Sequence, residues 1–95
     1  HTASIFPNKL ELFNSDKVCA VAEHPSTGQK RITLTGKVIK NSKRVIFMIT
    51  GNEKAEIVKN ILEKKKGYEK YPAAYAFPED GIYEWYIDEK AAKLL

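Results

Sequence analysis

At 95 residues and 43% hydrophobic, the chain fits one small domain, residues 1–95, with a limited core, and no apolar run approaches the about 20 residues a membrane helix needs. Its single cysteine, Cys19, excludes an internal disulfide, fits a reducing, cytoplasmic setting and reads as a small hydrophobe in a strand. The formal charge of +4 is mild and gathers in residues 37–44 and 64–66; without a nucleic-acid-binding motif it indicates solvated surface or attraction of an anionic metabolite rather than DNA or RNA.

His1-Thr2-Ala3-Ser4-Ile5-Phe6-Pro7 has neither an initiator Met nor a signal-peptide pattern before it, and it reads as the middle of a motif. A chain that starts inside a longer one is expected. Residues 10–13 suit a helical turn and residues 14–16 a reversal. Residues 18–22 form a short apolar run, expected as a strand, and residues 24–28 are dense in turn formers. Arg31-Ile32-Thr33-Leu34-Thr35 alternates polar and apolar, a strand signature that Gly36 ends. Residues 38–42 suit a short helix or an irregular crossover.

Residues 45–49 are continuously apolar and mostly β-branched, as in a central parallel strand covered on both faces. After the turn Thr50-Gly51-Asn52, the helical spacing of Ala55, Val58, Ile61 and Leu62 predicts an amphipathic helix. Lys64, Lys65 and Lys66 complement its negative end, with Gly67 just beyond. Residues 67–72 read as loop, 73–77 as a strand, 78–81 as a turn and 82–87 as an aromatic-rich strand. Asp88 suits the N-cap of a last helix over 89–95. Strand, helix, strand is the unit of a parallel sheet. The order therefore predicts an α/β fold, with this chain the C-terminal part of a three-layer, mostly parallel Rossmann-like domain.

Chemistry concentrates at the carboxyl end of the 45–49 strand, where open α/β sheets bind ligands. There the helix N-terminus offers free N–H groups, and Lys54 stands in the first turn, a site about 0.3–1 kcal/mol unfavourable for a cation. A facing anion such as phosphate explains that lysine. Glu53 or Glu56 could instead neutralise it, and Thr50 with Glu53 could be a capping box. The pattern is not a Walker A loop. His1 can act as a base near neutral pH, whereas His24, before Pro25, reads as a surface residue, and no metal-ligand spacing is present. Arg31, just after a loop, either pairs with a carboxylate or reaches a ligand. Tyr83, Trp85 and Tyr86 read as sheet packing, while Tyr68, Tyr71 and Tyr75 are too scattered to assign.

These segments resemble the 6-phosphogluconolactonases, within the glucosamine-6-phosphate isomerase/6-phosphogluconolactonase family. His1 to Pro7 is similar to the end of their D-G-H-T-A-S-[LI]-F-P motif, and Arg31 to Thr35 to R-I-T-L-T. Thr50-Gly51-Asn52-Glu53-Lys54-Ala55 resembles the T-G-x-x-K-A turn that the related deaminases share, and Pro72-Ala73-Ala74 and Trp85-Tyr86-Ile87-Asp88 fit the last elements. The deaminase motif has a glutamate five residues after its histidine. Phe6 stands there instead, which favours the lactonase.

The resemblance implies hydrolysis of 6-phosphoglucono-1,5-lactone to 6-phosphogluconate, in the oxidative pentose phosphate pathway. It implies His1 as general base and Lys54 as a phosphate contact, with Arg31 a second candidate for the phosphate. No metal or organic cofactor is expected, since a lactone is an activated ester. The family's Asp-Gly before the histidine and its glycine-rich N-terminal half are absent here. The expected partner, besides the sugar-phosphate lactone, is therefore that N-terminal half, and the 95 residues alone are expected to be inactive. The alternatives are a deaminase-like isomerase and a non-catalytic scaffold that binds an anion or a protein.

Overall fold

Short β-favouring runs pair wherever the connections allow. In the computed structural model, which describes His1–Leu95 throughout, four strands make two separate two-stranded sheets. Strands β1 (Cys19–Glu23) and β2 (Lys30–Leu34) pair antiparallel, with Val21 opposite Ile32. Helix α1 (Gly36–Lys40) leads to β3 (Arg44–Ile49), and helix α2 (Ala55–Leu62) lies between β3 and β4 (Ile82–Ile87) in the chain. Strands β3 and β4 are parallel, with Ile49 opposite Ile87. The fold is α/β, and parallel pairing is confined to β3 and β4. A loop as short as residues 24–29 can only return a strand antiparallel.

The alternation of β2 identified the strand, but its one buried residue is the polar Thr33, while Ile32 and Leu34 face out. Thr33 is 2% exposed and Ile32 79%. The buried Thr33 hydroxyl accepts the Ser4 N–H at 3.0 Å and donates to the Leu34 carbonyl at 2.8 Å. Thr35, fully buried, donates to the Lys17 and Val18 carbonyls. The core gathers Ile5, Phe13 and Ala76, with Leu10, Ile39, Phe47 and Tyr75 packed around them. Ile5 and Phe13 are contributed by the first segment and by a 3₁₀ helix over Pro7–Asn14. Burying each is worth about 1.5–3 kcal/mol, and this packing fixes the segment that carries His1.

Helix α2 buries Ala55, Val58 and Ile61, three of the four positions its spacing marks, while Leu62, at the frayed end, is 44% exposed. It ends at Leu62, before the three lysines. Lys65 N–H returns to the Asn60 carbonyl and Lys64 N–H to the Ile61 carbonyl, with Lys64 at φ 49: a Schellman ending on a lysine. Gly67, at φ 84, opens the next 3₁₀ turn, Tyr68–Lys70.

Several elements differ from expectation. Strand β3 is covered on one face: Phe47 joins the core while Ile46 and Met48 are 46% and 84% exposed. An unbroken apolar run contains no signal for which face stays open. Residues 73–77 are not a strand, because Pro72–Tyr75 forms a 3₁₀ helix with Pro in its first turn and Ala76 N–H bonded back to Ala73. Residues 89–95 form turns rather than a helix, closed by Ala92 N–H to Asp88 and Leu95 N–H to Ala92. Cys19 does lie in a strand, but it is exposed. The Arg44–Glu84 ion pair, at 3.2 Å, joins the first residue of β3 to β4.

Candidate active site

The segment before the first 3₁₀ helix folds back on itself. Thr2 and Ile5 exchange two backbone hydrogen bonds, at 3.0 and 2.8 Å, around Ala3 at φ 52. The reversal brings the His1 imidazole to 5.1 Å from the Phe6 ring. Phe6 is 4% exposed, so it forms a fixed platform for His1. Thr33 ties the same turn to β2 through Ser4. His1 is thereby positioned by side chains of the R-I-T-L-T strand and by the core beneath Phe6.

His1 and Lys54 line one cleft of about 360 Å³, within the usual size range for a small-molecule site. Its walls include Phe47 and Ile49 of β3, Ile57 and Ile61 of α2, and Trp85 of β4. His1 and Lys54 lie on the wall of the same cleft. Lys54 makes no ion pair, and neither Glu53 nor Glu56 neutralises it by contact. The capping box is not formed either: neither Thr50 nor Glu53 makes a capping hydrogen bond at the turn or at helix α2. Of the explanations open for a lysine at this position, the unpaired cation facing a cleft is the one the geometry supports.

Arg31 is not among the cleft residues. Its Nε and Nη2 donate to Gln29 Oε1 at 3.1 and 3.0 Å, and its guanidinium lies 5.7 Å from the Phe6 ring centroid. It has no carboxylate partner. The expected salt bridge is replaced by a neutral amide and an aromatic face, the ring that His1 also contacts. His24 is half-buried rather than a simple surface residue. Its Nδ1 accepts the Ser26 and Thr27 N–H groups at 3.1 and 3.2 Å, and its ring meets Phe6 edge-on at 4.9 Å.

Two buried polar atoms on residues of the cleft wall, Thr2 Oγ1 and Trp85 Nε1, lack a hydrogen-bond partner. Trp85 also stacks on Phe47 at 4.8 Å, so it serves both the sheet and the cleft. Tyr71 lines the cleft as well. Neither of these aromatics stood out in the sequence, because a wall residue and a packing residue have the same apolar signature. No three His, Cys, Asp or Glu side chains cluster as a metal site.

A family model described as glucosamine-6-phosphate isomerases/6-phosphogluconolactonase matches residues 1–85. Proteins named 6-phosphogluconolactonase from Aggregatibacter actinomycetemcomitans and Haemophilus influenzae are 42% and 40% identical over 95 residues, all of this chain. The chain spans 40% of the length of each, and it is 38% identical to the human protein of that name, spanning 37% of it. Among solved structures, the devB protein superposes with a TM-score of 0.87 at 37% identity, over 98% of this chain and 39% of its own. A 6-phosphogluconolactonase from Trypanosoma brucei superposes with a TM-score of 0.83 at 28% identity, over all of this chain and 38% of its own. The α/β architecture described above is the one shared with these Rossmann-like structures.

Proposed function

The chain belongs to the glucosamine-6-phosphate isomerase/6-phosphogluconolactonase family, and from that premise we propose that it supplies the catalytic base and a phosphate contact for hydrolysis of 6-phosphoglucono-1,5-lactone. The observation that carries the reading is the shared cleft of His1 and Lys54. In the proposed reaction the His1 imidazole takes a proton from water as the water oxygen bonds to the lactone carbonyl carbon. The ring C–O bond then breaks, and its oxygen leaves as the hydroxyl of 6-phosphogluconate after taking up a proton. Lys54 holds the phosphate, so binding energy from the remote end of the substrate orients the carbonyl. Arg31 is a second cationic contact for the phosphate, on the Phe6 side of the site.

Relatives of this name are about two and a half times as long, so we assign the activity to a polypeptide of their length acting in the cytoplasm. A segment matching their remaining part completes the cleft and is the partner of residues 1–95. Phe6 counts against deaminase chemistry, because a buried ring occupies the position where that reaction needs a carboxylate.

The test is lactone hydrolysis by the natural polypeptide carrying these residues, beside its His1→Ala variant and the 95 residues alone. Loss of a general base is expected to cost roughly 10²–10⁴ in kcat, with the 95 residues alone inactive. Unchanged kcat in His1→Ala would remove the histidine from the mechanism.

A further inference from the structure

Strands β3 and β4 run parallel and in register to Ile49 and Ile87, so both chains leave the sheet at the same end. Thr50 and Gly51 follow one strand, and Asp88 follows the other directly. The Asp88 carboxylate spans the gap. It accepts the Gly51 N–H, at 3.1 Å to Oδ1 and 3.2 Å to Oδ2, and Oδ1 also accepts the Ala91 N–H at 2.8 Å. The Asp88 N–H in turn donates to the Ile49 carbonyl at 3.2 Å.

Gly51 needs such a restraint. Its φ of 95 and ψ of 155 lie in a region open essentially to glycine alone. Nothing lies within 4 Å of the position a Cβ would take, so packing does not hold it. Within the turn, the Lys54 N–H reaches the Gly51 carbonyl at a long 3.3 Å, the Ala55 N–H reaches the Asn52 carbonyl, and no side chain of the turn itself caps it. The charge-assisted bond that the Gly51 N–H donates to Asp88 is therefore the side-chain tie that holds Gly51 itself.

We propose that Asp88 is a positioning residue for phosphate recognition: its carboxylate fixes the Gly51 turn and, through it, the place of the Lys54 ammonium in the cleft. The proposal rests on the reading of Lys54 as the phosphate contact. Asp88 does not touch the substrate. It acts across the strand pair, so a residue some thirty-four positions away in sequence sets the geometry of the T-G-x-x-K turn. A role confined to closing the turn after β4 would use only the bond to Ala91.

The experiment compares Asp88→Asn, Lys54→Met and the double variant in the natural polypeptide carrying residues 1–95. The substrates are 6-phosphoglucono-1,5-lactone and unphosphorylated glucono-1,5-lactone. Asparagine keeps one oxygen, which can accept the Ala91 and Gly51 N–H groups, but it removes the charge and sets an NH₂ donor against the Gly51 N–H in place of the second oxygen. Asp88→Ser, whose hydroxyl can still cap Ala91 but is too short to span to Gly51, removes the Gly51 bond altogether. Either substitution is expected to raise KM for the phosphorylated lactone roughly tenfold, with kcat little changed. The unphosphorylated lactone is expected to be turned over as before, and the double variant to lose no more than Lys54→Met alone. Equal losses on both lactones, or additive losses in the double variant, overturn the proposal. If Lys54→Met leaves KM for the phosphorylated lactone unchanged, the phosphate reading fails, and the positioning role fails with it.

Discussion

Gly36→Ala tests whether the segment carrying His1 is held as described. A Cβ built at Gly36 lies 1.9 Å from the Phe13 carbonyl oxygen and 2.4 and 2.5 Å from its carbonyl carbon and Cα. An ordinary contact needs about 3.4 Å, so helix α1 and the Pro7–Asn14 helix must part by roughly 1.5 Å. The obstruction is backbone, which cannot rotate aside. Overpacking of this kind costs about 1–3 kcal/mol or more, and uncovering Phe13, 2% exposed, adds part of its about 1.5–3 kcal/mol of burial. A loss near 4 kcal/mol is a large share of a typical stability of about 5–15 kcal/mol. In urea unfolding of the natural polypeptide, the midpoint is expected to fall by roughly 1.3–4 M at an m-value of about 1–3 kcal/mol/M. Two other glycines calibrate the result. At Gly81 the nearest atom, the Lys43 carbonyl oxygen, is 2.6 Å away, while at Gly67 nothing lies within 4 Å and only φ 84 opposes a side chain. The expected order of loss is Gly36→Ala, then Gly81→Ala, then Gly67→Ala at about 1 kcal/mol. A Gly36→Ala variant no less stable than Gly67→Ala would refute the packing argument.

Thr33→Val leaves the Ser4 N–H without its acceptor; a stability loss of about 1–3 kcal/mol and a fall in kcat larger than any change in KM are expected, because the turn that orients His1 loosens. Hydrolysis by the natural protein and its thermal unfolding midpoint check both parts. Tyr83 gives a pH prediction. Partial burial of its ring, in a residue 42% exposed overall, raises its phenol above the ordinary value, with the nearby Trp85 indole opposing in smaller measure and outside hydrogen-bonding geometry. A folded-state pKa above the unfolded one binds the proton more tightly when folded. That stability is intact below about pH 10 and is lost as pH rises through the folded pKa. Tyr83→Phe is expected to flatten the fall of the unfolding midpoint between pH 9 and 12, and an identical fall in both proteins would count against the burial.

The elements that sequence determined are those whose signal is local. A period of two marked β2, a continuous apolar run marked β3, and the spacing of Ala55, Val58 and Ile61 marked α2 and its buried face. The turn at residues 50–52 and the loop at 24–28 followed from turn-forming residues. His1 and Lys54 were legible through the motifs that contain them, and they do share a cleft.

What the tertiary structure decided is what depends on a distant neighbour. Period alone shows that two faces differ, but not which face finds a core; Thr33 of β2 and Thr35 just after it turn inward because they meet Ser4 and the Lys17 and Val18 carbonyls there. Residues 73–77 have the composition of a strand, yet a strand exists only with a partner, and Pro72 starts a 3₁₀ helix that delivers Ala76 to the core instead. Asp88 was read as the cap of a helix; its carboxylate is shared between Ala91 and Gly51, and a turn follows. Arg31 has Gln29 and the Phe6 ring where a carboxylate partner was one of its two options. In each case residue type fixed the bonds a side chain can make, and the fold chose which of them it makes, because a hydrogen bond or a contact needs its second atom within a few ångströms and the sequence alone does not say which atom that is.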